Sequence, residues 1–476
     1  MSGVSSSLRP LKRTRIHVNN LPDHILSEIV GRLPLKSAVR TGLISKRWEK
    51  LWRANTDWSL SVEMFAGKID KAAKFEQLVS QIIFLHEGPG IKVFKVHYDC
   101  YFRRSNMAPI WVEFLVKRGI RILHLDIREA MKFPMALFTC PTLVELRLCF
   151  YYDFVKLPSN VSLVNLTTML LEHARFITAD RFQKLMEGCP KLIILHLCGC
   201  VFTANIDLLT ITHPILRDLQ IDRCHWKEGM TLRISTPHLE FFKFKGLGLI
   251  SNNIELINAS PSYGAILEPE EYYDTYRAWR SVGRAEELGF LIAMIMQIMS
   301  NLRVLRFNTW CIEWLSTLLE VFADATIEYP LLMRLVMSIW PNKHHAYVAV
   351  GLLKMYPQVE ELAIETIHNT HIPIAYNQGR VGYANPPNFL STECHHVKLR
   401  IVKIYSYGGT ADEKNVVKYL LKSGVAIKEF EVKFADRMTN ETRQKLTEEL
   451  LQYPRASPAL EMSFRPLLSP CPICIS

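Results

Sequence analysis

Eleven cysteines and sixteen histidines are the residues of this chain best suited to metal or nucleophilic chemistry. Their spacing argues against both. Cys471-x-x-Cys474 has the spacing of half a zinc site, but zinc takes four ligands and no second pair lies nearby. Cys394-His395-His396 is the one other cluster that suggests a partner for it, and its histidines read as loop or hydrogen-bonded residues. Cys198 and Cys200 flank Gly199 at the end of a predicted strand, where core or turn thiols are expected. A catalytic cysteine needs a positioned base, and no motif supplies one. There is no Gly-rich phosphate loop, no Gly-x-Ser-x-Gly and no His-Glu-x-x-His. The expectation is a chain with no catalytic residue, no metal and no cofactor.

Chemistry of this chain is then a matter of surfaces. Of its 476 residues, 49 % are hydrophobic and 22 % charged, a balance that builds a sizeable core rather than a disordered chain. Formal net charge is +11, and four of the cations (Arg9, Lys12, Arg13, Arg15) fall in the first 15 residues. The stretch RPLKRTR is either a nuclear import signal or a solvated arm. The remaining +7 is spread over the rest of the chain, whereas nucleic-acid binders gather charge in a patch. MSGVSSSLRP has no apolar signal region, and the longest apolar run, Phe290 to Met299, is too short to cross a bilayer. An odd number of scattered cysteines fits a reducing compartment. A soluble protein of the nucleus or cytoplasm is expected, with no membrane contact, so the Asn160, Asn165 and Asn440 sequons carry no meaning.

The sharpest surface signal is LPDHILSEIVGRLPLKSAVRTGLISKRWEKLW, Leu21 to Trp52. Pro22 suits the first turn of a helix, with Asn20 as a possible cap. Ile25, Leu26, Ile29, Val30 and Leu33 form one wide apolar stripe. Gly31 and Pro34 end that helix and open a second, with Ala38, Val39, Leu43 and Ile44. Ser45 can cap a third, carrying Trp48, Leu51 and Trp52. A unit of about 40 residues buries too little surface to cover two such stripes and two tryptophans. The surplus calls for a neighbouring domain or another chain.

Leu-Pro-x-x-Ile-Leu-x-x-Ile-x-x-x-Leu-Pro, followed by Ser-Lys-Arg-Trp-x-x-Leu-Trp, resembles an F-box from Leu21 to Trp52. The resemblance implies docking on a Skp-type adaptor and, through it, on a cullin scaffold in an SCF ubiquitin ligase. By position it implies that Leu21, Pro22, Ile25, Leu26, Ile29, Leu33, Pro34, Val39, Leu43 and Trp48 face the adaptor. Leu51 and Trp52 would pack on the next domain.

Behind this segment runs a repeat of Leu-x-x-Leu-x-Leu type. It starts at Ile91, Ile120, Leu143, Leu166, Leu192, Leu216, Leu239, Leu302, Leu332 and Val359, at intervals of 23 to 30 residues apart from one of 63. Those intervals fit leucine-rich repeats, each supplying one short parallel strand with leucines inward. Prolines at 141, 190, 214, 237, 330 and 357 mark the turn before a strand. The long interval is either one or two degenerate units or an inserted loop. Outward positions (Lys92, Lys95, Arg121, His124, Glu145, Arg147, His196, Arg217, Asp218, Gln220, Glu240, Lys243, Arg303, Arg306, Glu360, Glu361) mix signs and form no single-sign groove.

After Val359 the spacing changes. A loop-like NQGRVGYANPP precedes a predicted strand over 398–405, a helix over 416–424 and a strand over 427–434; a helix over 441–451 and a strand over 459–464 follow. This order, with YPRASPALEMSF, resembles the FBD region found after leucine-rich repeats in many plant F-box proteins. It departs from that pattern at Ser406-Tyr407 and Glu393-Cys394. Structurally, two more solenoid-like units closing the C-terminal end are expected.

The expected fold class is therefore α/β: a three-helix F-box, a leucine-rich-repeat solenoid of parallel strands plus helices, and an FBD cap. The expected divisions are 1–16 arm, 17–58 F-box, 59–375 repeats with a possible insertion at 250–290, 385–464 FBD and 465–476 tail. The implied function is the non-catalytic substrate-recognition subunit of an SCF ligase, its repeats holding an unidentified target protein. The alternatives are an adaptor-binding scaffold without a ligase role, and a nuclear nucleic-acid binder.

Overall fold

The computed structural model describes residues 18–33, 35–65, 71–88, 90–98, 107–127, 133–150, 160–203, 205–227, 229–246, 253–269, 282–298, 301–318, 331–368, 394–436 and 438–466. The chain divides into two compact units, Met1–Leu143 and Val144–Ser476.

The first unit opens with helices α1 (Asp23–Gly31), α2 (Leu35–Thr41) and α3 (Lys46–Arg53). Pro22 is the residue before α1, not its first helical residue, and its carbonyl accepts from the amides of Ile25 and Leu26. Ser45 stands at the start of α3, yet its side chain makes no capping bond. What fixes α3 is Arg47: it donates to Asp23 Oδ1 (2.6 Å), to the Leu21 carbonyl (2.6 Å) and to the Asn19 carbonyl, while Trp48 Nε1 donates to Asn19 Oδ1 (2.7 Å). Leu26, Val30, Ala38, Trp48 and Leu51 form the core between the helices, with Leu21, Leu33 and Trp52 packed against it.

Next come β1 (Asp57–Ser61), α4 (Lys71–Phe84), β2 (Val93–Tyr98), α5 (Met107–Lys117) and β3 (Ile122–Ile127). The three strands are parallel, with Trp58 opposite Phe94 and Phe94 opposite Leu123, all buried. The repeat register anticipates β2 and β3. It misses β1, which buries Trp58 and Leu60 and lacks the leading Leu-x-x.

In the second unit, parallel strands follow at Glu145–Cys149, Thr168–Glu172, Ile194–Cys198, Asp218–Asp222, Phe241–Gly246, Gly264–Pro269, Val304–Phe307, Arg334–Ile339 and Glu361–Thr366. Most bury alternate side chains, as Leu146/Leu148 and Leu195/Leu197 do, while Arg334–Ile339 and Glu361–Thr366 bury every residue after the first. The described residues that precede the marker prolines, Cys140, Cys189, His213, Thr236 and Tyr356, are all buried, so this corner is part of the core. Gly264–Pro269 lies inside the 63-residue interval and pairs in register on both sides. That stretch is therefore a true repeat strand. Its inward positions are Ala265 and Leu267, and Ser262 stands where the register would put the leading leucine, so the pattern hid it. A helix at Val282–Ile298 fills the rest of the interval, while residues 270–281 lie outside those described.

Beyond the main strands the chain forms a helix at Ala179–Glu187 and a small parallel sheet of Leu208–Thr212, Thr231–Ser235 and Asn253–Leu256. The C-terminal strands Ile401–Tyr407, Glu429–Phe434 and Glu461–Pro466 continue the parallel order from Glu361–Thr366, giving three more units where two were expected. Their helices are Ala411–Ser423 and Asn440–Leu451. The first begins five residues before the predicted start. A reciprocal capping box explains this: Thr410 Oγ1 accepts from the Glu413 amide (3.3 Å) and Glu413 Oε2 from the Thr410 amide (2.8 Å). No described helix is long and apolar enough to cross a membrane.

Candidate functional site

The three-helix segment sorts its apolar residues into two classes. Leu26 (0 % exposed) and Trp48 (3 %) are sealed in the core between the helices. Both were expected to face a partner; here they pack against the neighbouring helices and present little or no surface. Leu21, Ile25 and Leu33 are half-buried, and Pro22 is exposed. Ile29 (38 %), Val39 (39 %) and Leu43 (88 %) stand in solvent, and so does Ile44 (55 %). Pro34 lies outside the described residues. Sequence reasoning placed Ile44 in the second stripe but not among the partner-facing residues. The signal was there: Gly42 to Ser45 is a four-residue turn, too short to fold over two adjacent large aliphatics. Exposed apolar residues contributed by both α1 and the α2–α3 turn are what a partner's apolar groove needs.

This segment is tied to the first repeat by one buried node. The Asn55 carbonyl accepts from Trp58 Nε1 (3.0 Å) and from His86 Nε2 (3.1 Å). Nδ1 of His86 accepts from Arg118 (3.2 Å), which fixes the neutral tautomer. Burial, then the Arg118 charge, push the His86 pKa down. Arg53 joins the node by bridging Glu49 and Glu87, each at 2.8 Å.

The outward face of the second unit's strands carries ion pairs between neighbours, Arg147–Glu172 (2.6 Å), Lys243–Asp222 (3.8 Å), Arg306–Glu268 (2.8 Å) and Lys403–Glu361 (2.9 Å), and His196 lies 3.4 Å from Asp218. The mixed signs seen in sequence thus cancel locally, and among the described residues no single-sign track runs across the strands. Toward the C-terminal strands the same face turns apolar and closed, with Val336, Ala363 and Tyr405 forming a separate buried cluster.

Two cysteines and a histidine singled out in the sequence are held inert. Burial pushes the Cys189 thiol up to about 12 and the Cys198 thiol up to about 11, so both stay protonated near neutrality. His396 hydrogen-bonds the Tyr419 hydroxyl (2.9 Å), and burial, helped by Lys354, pushes it down to about 4. It is a satisfied core histidine. Among the described residues no group of three His, Cys, Asp or Glu converges; Cys471 and Cys474 lie outside them.

Comparison with known proteins matches three regions in order. Residues 18–60 match the F-box domain, residues 109–260 the LRR repeats of FBD-associated F-box proteins, and residues 391–431 the FBD. An FBD-associated F-box protein of Arabidopsis thaliana is 25 % identical over 461 residues, covering 94 % of this chain and 99 % of the relative. An F-box/FBD/LRR-repeat protein of the same plant is 25 % identical over 467 residues, covering 94 % and 96 %. An F-box protein, again of Arabidopsis thaliana, is 31 % identical over 242 residues, covering 47 % of this chain and 71 % of the relative.

Proposed function

This chain belongs to the plant F-box proteins that carry leucine-rich repeats and an FBD region, and on that premise we propose that it is the substrate-recognition subunit of an SCF-type ubiquitin ligase. Its N-terminal helices dock on a Skp-type adaptor. Its repeat strands hold a target protein, whose lysines the complex presents to a ubiquitin-charged enzyme. Catalysis is then proximity, the holding of two reactants at high effective concentration. This chain contributes position rather than an acid, base or nucleophile.

The observation that carries the reading is the exposed apolar set Ile29, Val39, Leu43 and Ile44 beside a complete core of their own helices. Leu43 and Ile44 are mostly in solvent, and Ile29 and Val39 each leave over a third of their surface open. The test is co-purification of the full chain with a plant Skp-type adaptor, compared with Leu43→Asp. At 88 % exposure Leu43 can change without loss of folding, so loss of the adaptor reports docking alone. Retention of the adaptor by the variant would remove Leu43 from the interface, and failure of the wild type to bind while folded would remove the ligase reading. Cullin and polyubiquitin in the captured complex separate the ligase subunit from a non-degradative scaffold.

A further inference from the structure

The three-helix segment carries more cations than its fold uses. Residues 18–53 hold seven Lys and Arg against three acids, Asp23, Glu28 and Glu49. Each acid is already taken: Asp23 by Arg47 (2.5 Å), Glu28 by Arg32 (2.6 Å) and Glu49 by Arg53 (2.8 Å). Arg40, Lys46 and Lys50 are exposed, and among the described residues none has an ion pair or a side-chain hydrogen bond. They flank the turn that carries Leu43 and Ile44. Arg40 lies in the last turn of α2, Lys46 is the first residue of α3, and Lys50 is four residues on, on the same face as Lys46.

Lys46 is also in the wrong place for stability. The N-terminus of a helix is its positive end, where acids stabilise and cations do not. Glu49 stands in the same first turn but is engaged by Arg53, and Ser45 makes no capping bond. Nearby, the chain does meet such needs, with Arg47 answered by Asp23 and two carbonyls. Exposed cations without an ion pair among the described residues, set around an 88 % exposed leucine, are the pattern of a surface shaped for a partner.

We propose that the α2–α3 turn is an electrostatically steered plug. Leu43 and Ile44 enter an apolar groove on the adaptor whose rim is acidic, and Arg40, Lys46 and Lys50 meet the carboxylates of that rim. The inference rests on the adaptor reading above and adds the charge of the adaptor's surface to it. Complementary charge acts mainly on encounter, and a buried aliphatic anchor mainly on dissociation. The two parts of the plug therefore separate kinetically.

The experiment is association and dissociation kinetics of the full chain on an immobilised plant Skp-type adaptor. Wild type, Leu43→Ala and the triple variant Arg40→Glu/Lys46→Glu/Lys50→Glu are compared, each checked for an unchanged thermal melt. The wild-type association rate is expected to fall about tenfold between about 50 mM and about 500 mM salt. The triple variant is expected to associate about tenfold more slowly at low salt and to lose most of that dependence. Leu43→Ala should keep the salt dependence and dissociate faster. Wild-type binding that ignores salt and survives the triple reversal overturns the acidic rim and leaves adaptor docking intact. Absence of wild-type binding overturns both. Vesicles of phosphatidylserine and phosphatidylcholine, and a duplex DNA, serve as separate arms; tighter retention on either than on the adaptor assigns the cations elsewhere and overturns the proposal.

Discussion

The helices at Ala411–Ser423 and Asn440–Leu451 are made of the same kinds of residue as α1 to α3, and they are finished differently. In the C-terminal pair the start is closed by a capping box, Val416, Val417, Leu420 and Leu421 are buried, and Lys414 reaches across to Glu449 at 2.7 Å. In the N-terminal three, the turn after α2 leaves two aliphatics in solvent and the start of α3 lacks its capping bond. The difference is one of completion. A segment that satisfies its own polar and apolar groups is a closing piece. One that satisfies only part of them fits the docking role proposed above. The shared part, a sealed core of Leu and aromatic side chains, shows that incompleteness here is not poor folding.

This contrast can be broken most sharply through the cores. Leu420→Ala in the finished pair and Leu26→Ala in α1 should each destabilise by about 3 kcal/mol, the usual cost of removing a fully buried leucine. Urea denaturation followed by circular dichroism measures both, and an effect well below 1 kcal/mol at Leu26 would show that the three helices lean on something other than their own core. Leu43→Asp should cost no folding stability and about 30-fold in adaptor affinity, or about 2 kcal/mol, typical of an interface anchor. An unchanged dissociation constant in calorimetry would demote that residue to ordinary surface. Thr410→Ala should lose about 1 kcal/mol through its cap, whereas Ser45→Ala, having no capping bond to lose, should stay within about 0.5 kcal/mol of wild type.

The smallest expected effect has opposite signs in the two regions. His368 hydrogen-bonds the Glu413 carboxylate, and this, against a burial penalty, raises its pKa. The charged imidazole therefore stabilises the C-terminal region fully below the ordinary histidine range, and the contribution fades as pH rises through the raised value. Burial pushes Glu413 up, but the His368 side chain and the Gly408 and Thr410 amides outweigh it, so its carboxyl lies below the usual range. Its contribution is present above the ordinary carboxylate range and is lost as pH falls through the lowered value. His86 behaves the other way. Its lowered pKa means that the unfolded chain takes up the proton first, so stability falls as pH drops below about 6.5. Hydrogen exchange followed region by region between pH 8 and pH 6 should show slower opening around Ile401–Tyr407 and faster opening around Asn55–Trp58. Slowing at both places would mean that His86 is not held neutral by its burial and by Arg118.

The contrast also marks what could be read from the chain. The family, the parallel strands and their spacing were legible because leucine at fixed offsets is a local signal, and ten strands announce themselves that way. Asp57–Ser61 and Gly264–Pro269 stayed hidden because Trp58 and Ala265 fill inward places that leucine marks elsewhere, and an exposed serine, Ser262, stands at the leading position of the second. A bulky side chain or a short one fits where neighbouring repeats leave or take room, and a single strand cannot show that. The early start of the helix at Ala411 was readable in Thr410-x-x-Glu413 and was missed.

For the docking segment, sequence alone determined that there is too much apolar surface for three short helices. It could not assign which residues stay outside. Leu26 and Leu43 are the same residue type, in stripes of similar spacing, yet one is sealed and the other lies 88 % in water. Only the packing of α1 on α3, set by Arg47, Asp23 and Asn19, decided between them. Helical periodicity defines a face about its own axis, while burial depends on what that face meets.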